Sequence, residues 1–185
     1  MAGRSSRSFA ERRAARAEVD DPAVVLEAAL RFLEARARSE SEVRRRLGQA
    51  GYRSELVDGA ITRLVELGVL DDEAFARAWV ESRDRARPRG ERALRRELSL
   101  KGVDRAVLDE VLDERRDEAA VAGRDIDLEA ARLLLARSAR SLERIADPRE
   151  RRQRAYALLA RNGFDPDVCR EASRELAAEV DETGE

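Results

Sequence analysis

Three short segments share one pattern. Leu47-xxx-Gly51-Tyr52, Leu98-xxx-Gly102-Val103 and Leu159-xxx-Gly163-Phe164 each place an apolar residue one helical turn before a glycine and another directly after it. No other feature limits the fold so strongly. Glycine reaches the left-handed backbone that ends a helix, and the apolar residue behind it folds back on the preceding turn. The register continues past each glycine without a gap. Positions five and six beyond it are Leu56-Val57, Val107-Leu108 and Val168-Cys169; positions nine and ten are Ala60-Ile61, Val111-Leu112 and Ala172-Ser173. Apolar pairs four residues apart make one buried helical stripe. Helix, glycine stop and helix therefore occur three times, and a repeat at fixed register implies modules that stack.

A further helix precedes each pair. Asp21-Pro22 combines an N-cap with a proline at the first helical position, and Val25, Leu26, Ala29, Leu30 and Leu33 follow at helical spacing. After Leu70, the pair Asp71 and Asp72 opens a helix carrying Phe75, Ala76, Trp79 and Val80 on one stripe. In the third repeat, Gly123, Asp125 and Asp127 delay the helix until about Leu128. Ser39 and Glu42 read as a capping box, and Asp147-Pro148 and Asp165-Pro166 as helix starts. The expected fold is all-α: three tandem three-helix repeats, 21–70, 71–116 and 117–180, in an elongated, curved array. Residues 1–20, with five arginines and almost no apolar residue except Phe9, read as a disordered basic tail, and 181–185 as an acidic one.

Composition removes whole classes of chemistry. There is no histidine and one cysteine, so neither a histidine-based catalytic arrangement nor an internal disulfide can form. Cys169 falls where the other repeats have Val57 and Leu108 and reads as a small buried hydrophobe. Asp71 and Asp72 read as capping groups, with no metal and no cofactor expected. The longest apolar run is short of a membrane span, and the first residues lack the apolar core of a signal peptide. The expectation is a soluble, cytoplasmic monomer that is not an enzyme and has no small-molecule substrate.

Acids and bases nearly cancel, at a net charge of -2, so any anion binding must be local. Between residues 83 and 96, seven arginines have only Asp84 and Glu91 among them, leaving Arg85, Arg87, Arg89, Arg92 and Arg96 as candidate contacts for a partner. Arg92 and Arg96 have no acid three or four positions away and repel each other. Arg45 of the first repeat falls where the second has Arg96, and joins the set. The third repeat has Ala157 there, which assigns the basic face to the first two repeats. Four acid-first pairs, Glu40–Arg44, Glu42–Arg46, Glu73–Arg77 and Glu91–Arg95, are predicted to occupy the other arginines. A DNA-reading helix-turn-helix does not suit this charge pattern, because its recognition helix would press Asp109, Glu110, Asp113 and Glu114 towards phosphates.

The segment from Gly68 to Asp72 with Phe75-Ala76 and Trp79-Val80, then Arg83, Gly90, Leu94, Glu97-Leu98 and Lys101-Gly102-Val103, resembles the central signature of the RecX family, regulators of the bacterial RecA recombinase. Residues 147 to 176 are similar to that family's C-terminal part. The structural signature is Leu70, Asp71, Asp72, Phe75 and Trp79 together with Gly51, Gly102 and Gly163. The resemblance implies a protein of DNA recombination, repair and the SOS response. It would engage the RecA filament in its groove or at its growing end, and lower strand exchange, ATP hydrolysis and co-protease activity. Three modules touching successive subunits would multiply weak contacts. The alternative is an independent module that covers single-stranded DNA.

Overall fold

The computed structural model describes Ser8–Thr183, with side chains through Leu176. Among the described residues there are ten α-helices and no strand: α1 Phe9–Ala17, α2 Pro22–Leu33, α3 Glu40–Ala50, α4 Ser54–Glu66, α5 Asp72–Ala86, α6 Glu91–Leu100, α7 Arg105–Val121, α8 Ile126–Leu142, α9 Pro148–Arg161 and α10 Pro166–Thr183. The chain forms two compact units. Of the described residues, one holds those up to Phe75 with Lys101–Asp104; the other holds Ala76–Leu100 and those from Arg105 onward.

The repeating glycines end their helices as their spacing requires. Gly51, Gly102 and Gly163 have φ of +106°, +78° and +83°. Behind two of them the Tyr52 and Phe164 amides donate to Leu47 O and Leu159 O, each at 3.3 Å, closing the helix end. In the first unit α2, α3 and α4 pack around Val25, Ala29, Val43, Leu47, Ile61, Leu64 and Leu70. In the second, α8, α9 and α10 enclose Leu128, Ala131, Leu135, Leu159, Phe164 and Cys169. Leu47, Leu98 and Leu159 are all buried, so cutting any one to alanine would cost about 2–5 kcal/mol.

Each unit contains the same kind of joint. In the first, the Ser39 hydroxyl accepts from the Glu42 amide at 3.1 Å and donates to Lys101 O at 2.5 Å. The Glu40 amide donates to Asp72 Oδ1 at 2.8 Å, and Ser41 packs so closely on Gly102 that no Cβ fits there. In the second, the Glu91 amide donates to Asp127 Oδ2 at 3.1 Å, the Gly90 amide donates to Asn162 O at 3.1 Å, and Ala93 packs on Gly163. Glu40 and Glu91 stand at the same distance before Gly51 and Gly102. The start of the middle helix of one repeat thus fastens onto the glycine turn and the leading aspartate of the next. The capping box expected at Ser39 is half formed, because the Glu42 carboxylate turns instead to Arg36 at 3.1 Å and Lys101 at 3.3 Å.

The first expected tail is corrected. Residues 9–17 form α1, whose start carries a full capping box: Ser8 N–H donates to Glu11 Oε2 at 2.7 Å and Glu11 N–H to Ser8 Oγ at 3.2 Å. Arg13 lies on Gly51 and the Arg16 guanidinium over the Tyr52 ring at 5.7 Å. The helix buries no residue of its own, so apolar periodicity had nothing to register. Residues 1–7 of that expected tail lie outside the described residues. At the other end α10 runs on to Thr183, into the segment read as an acidic tail, and α7 runs past 116 to Val121. The third repeat's delayed start is at Ile126, where Asp125 accepts from the Asp127 and Leu128 amides, both at 3.0 Å.

Candidate partner-binding site

Asp71 and Asp72 divide the work expected of them as a pair. Asp71 caps α5, accepting from the Ala74 amide at 2.9 Å, while Asp72 reaches the Glu40 amide as described. Burial raises the Asp72 carboxyl above its ordinary range; the bond from Glu40 opposes this, and the Asp71 charge adds to it. Phe75 is buried. Trp79 is only half-buried, at the edge of the stripe that was expected to carry it inside.

Glu97, which helical spacing does not single out for binding, holds Arg83 and Arg89 of the second unit. Its Oε2 accepts from Trp79 Nε1 at 2.9 Å and from Arg83 Nε at 2.6 Å. The Arg83 guanidinium also lies over the indole at 4.2 Å. Arg89 Nε sits 3.3 Å from Glu97 Oε1, close enough for charge attraction although its N–H is not aimed at that oxygen. Burial alone would raise the Glu97 carboxyl; the bonds from Arg83 and Trp79, with the charges of Arg83 and Arg89, outweigh it and hold the carboxyl below its usual range.

The six candidate arginines therefore separate. Arg89 is spent internally, on Glu97 and on the Asn162 side-chain oxygen. Arg92 pairs with Asp165 at 2.9 Å, across a sequence gap that no helical spacing could reveal. Arg85 pairs with Glu81 at 3.3 Å, one turn back on α5. The expectation that these three are unpaired is corrected. Arg92 and Arg85 remain largely exposed, and exposed pairs of this kind contribute at most about 1 kcal/mol. Arg45 in the first unit, and Arg87 and Arg96 in the second, are exposed with no carboxylate partner among the described residues.

The arginines expected in helix-internal pairs also find partners on other helices. Glu91–Arg95 forms at 2.9 Å, and Arg95 additionally reaches Asp109. Arg44 reaches Asp58 at 3.2 Å, Arg77 reaches Glu114 at 2.6 Å, and Arg46 lies over the Phe32 ring at 5.6 Å. Arg115 is only 10% exposed and bridges Asp84 and Asp127, each at 2.9 Å, so Asp127 holds both an arginine and the Glu91 amide. Nor does the basic face end with the second repeat: α9 carries five arginines against one glutamate. Cys169 is fully buried beside Phe164 O, and burial raises its thiol, with the Asp165 charge adding to the effect. Among the described residues no three metal-binding side chains gather, and no helix is long and apolar enough to cross a membrane.

Fold and surface together define an all-helical repeat protein whose modules lock through glycine turns and present a few uncommitted arginines. Residues 26–64, 71–112 and 125–172 match, in turn, the first, second and third three-helix domains of RecX. The chain belongs to the RecX family. The regulatory protein RecX of Mycolicibacterium vanbaalenii is 36% identical over 143 residues, covering 74% of this chain and 73% of that protein. That of Mycobacterium avium is 37% identical over 153 residues, covering 81% and 83%. In structure the chain is similar to RecX from Lactobacillus salivarius, with a TM-score of 0.71 at 22% identity over 85% of this chain and 97% of that one, a likeness of fold. Its role is accordingly regulatory.

Proposed function

We propose that this chain binds the RecA nucleoprotein filament and lowers its strand exchange, ATP hydrolysis and co-protease activity without catalysing a reaction of its own, acting as a cytoplasmic monomer. The observation that carries this reading is the exposure of Arg87 and Arg96 without acid partners among the described residues, beside Arg83, Arg92, Arg95 and Arg115, which Glu97, Asp165, Glu91, Asp109 and Asp84 engage. Arg45 is the corresponding residue of the first unit. Guanidiniums left free on a rigid support suit the carboxylates and phosphates that a protein filament on DNA presents.

The test is RecA ATPase on single-stranded DNA, titrated with the wild-type chain and with Arg87→Glu/Arg96→Glu. Wild type is expected to inhibit at substoichiometric to equimolar levels. The variant should need about tenfold more protein for half inhibition, about 1.4 kcal/mol over two reversed charges. RecA activity unmoved by equimolar wild type would end the regulator reading. Equal inhibition by the variant would remove only these arginines from it.

A further inference from the structure

In the second unit α9 and α10 meet along a groove of about 370 Å³. From α9 it is lined by Arg149, Arg152, Gln153 and Tyr156, at i, i+3, i+4 and i+7 on one helical face, and from α10 by Arg170 and Arg174 over Ser173. Arg170 is engaged by Asp167, one turn before it. Arg149, Arg152 and Arg174 are exposed and have no carboxylate partner among the described residues. Glu150 and Glu171, the exposed acids of the same helices, do not line the groove. The Ser173 hydroxyl turns back to Arg170 O at 3.3 Å, so the floor is neutral. Four guanidiniums are thus collected around one opening with a single carboxylate to balance them.

Between them stands an aromatic ring held from behind. Tyr156 packs against the third-repeat core while also lining the groove, and is half-buried. A ring fixed on one side and open on the other is a stacking platform, and guanidiniums on either side track a chain of phosphates. An acidic peptide would satisfy the arginines but offer the ring nothing. In a duplex, base faces are already stacked and unavailable to it. The volume lies at the small end for ligand sites, matching one nucleotide of a continuing strand and not a whole helix.

We propose that this groove binds single-stranded nucleic acid, with phosphodiesters held by Arg149, Arg152 and Arg174 and one base stacked on Tyr156. The glycine register puts Tyr156 and Ala157 where the first repeat has Arg44 and Arg45, which hides this face from a comparison of the repeats. The basic face of α9 is rotated, not lost.

The experiment is fluorescence anisotropy of a labelled oligodeoxythymidylate with the full chain and no RecA, across a salt series, so its outcome is independent of the RecA reading. Arg152→Gln/Arg174→Gln is expected to reduce the slope of log K against log salt by about 1.4, two contacts at about 0.7 each for a single strand. Tyr156→Leu should weaken binding about tenfold with the slope unchanged. Arg140→Gln/Arg144→Gln removes the same charge from the same unit outside the groove, and should leave the slope as in wild type. Circular dichroism melts establish that each variant is folded; should Tyr156→Leu fail to fold, the two arginine pairs still decide. The proposal is overturned if wild type does not bind the oligomer, if both arginine pairs change the slope equally, or if polyglutamate displaces the oligomer more effectively than unlabelled oligomer does.

Discussion

Replacing glycine by alanine at two sites should shift stability in opposite directions. A Cβ built on Gly90 would come within 3.0 Å of Phe164 Cα, Phe164 N and Gly163 O. All three are main-chain atoms and cannot swing aside, so the α6 start must move off the α9–α10 turn. Overpacking of this kind costs about 1–3 kcal/mol, and the Gly90 amide's bond to Asn162 O, worth about 1 kcal/mol, is strained with it. The expected loss for Gly90→Ala is therefore about 2–4 kcal/mol. With a urea dependence of about 1–3 kcal/mol per molar, the midpoint falls by roughly 1–2 M. Trp79 is the one tryptophan and lies in the same unit, so its fluorescence reads this transition directly. Gly59, exposed in the middle of α4, has open space where a Cβ would stand, and Gly59→Ala should instead stabilise by about 0.5–1 kcal/mol, followed by circular dichroism. A Gly90→Ala midpoint equal to or above that of wild type would refute the close backbone approach.

Ser39→Ala removes both the α3 cap and the bond to Lys101 O, and should lower stability by about 1–2 kcal/mol in urea titration; a change within error would mean that water replaces both. Because the Glu97 carboxyl is held below 4.5 in the folded chain, the unfolded chain takes up that proton first as pH falls, and this contribution is lost as pH drops from about 4.5 through the folded value. Glu97→Gln should be less stable at pH 7 and show a flatter acid limb; melting temperatures that fall in parallel between about pH 5 and 3 would contradict this. Cys169, buried with a raised thiol, should resist a maleimide reagent in the native protein and react fully in denaturant. Rapid native labelling would show that the third-repeat core opens.

Much of the scaffold is written in residues that act locally. Gly51, Gly102 and Gly163 take positive φ because each follows an apolar helical turn, and Asp21, Asp147 and Asp125 cap the helices they precede. What escaped the sequence depends on groups far apart along the chain. Arg92 finds Asp165, Ser39 finds Lys101 O, and Glu97 gathers Trp79, Arg83 and Arg89 only once α5 and α6 have packed. Helical spacing ranks an arginine by neighbours three and four residues away, and so it misjudged Arg89 and Arg92. One signal was available: Arg85 has Glu81 a turn behind it. The bonds from the Glu40 amide to Asp72 and from the Glu91 amide to Asp127 were not legible, because a backbone amide donating to a distant carboxylate leaves no mark in side-chain periodicity.

The joints also bear on how such a chain can diverge. Ser39 meets a main-chain carbonyl, Glu40 and Glu91 contribute only their amides, and Gly90 meets Asn162 O. A seam made largely of main-chain atoms asks little of side-chain identity beyond the Ser39 hydroxyl, a small residue at the contact and an acid at positions 72 and 127. Substitutions elsewhere can accumulate without breaking these bonds, in keeping with a fold shared with the Lactobacillus salivarius protein at 22% identity. The same tolerance would let a module be exchanged between relatives by cutting at these seams, carrying its own arginines into a new chain.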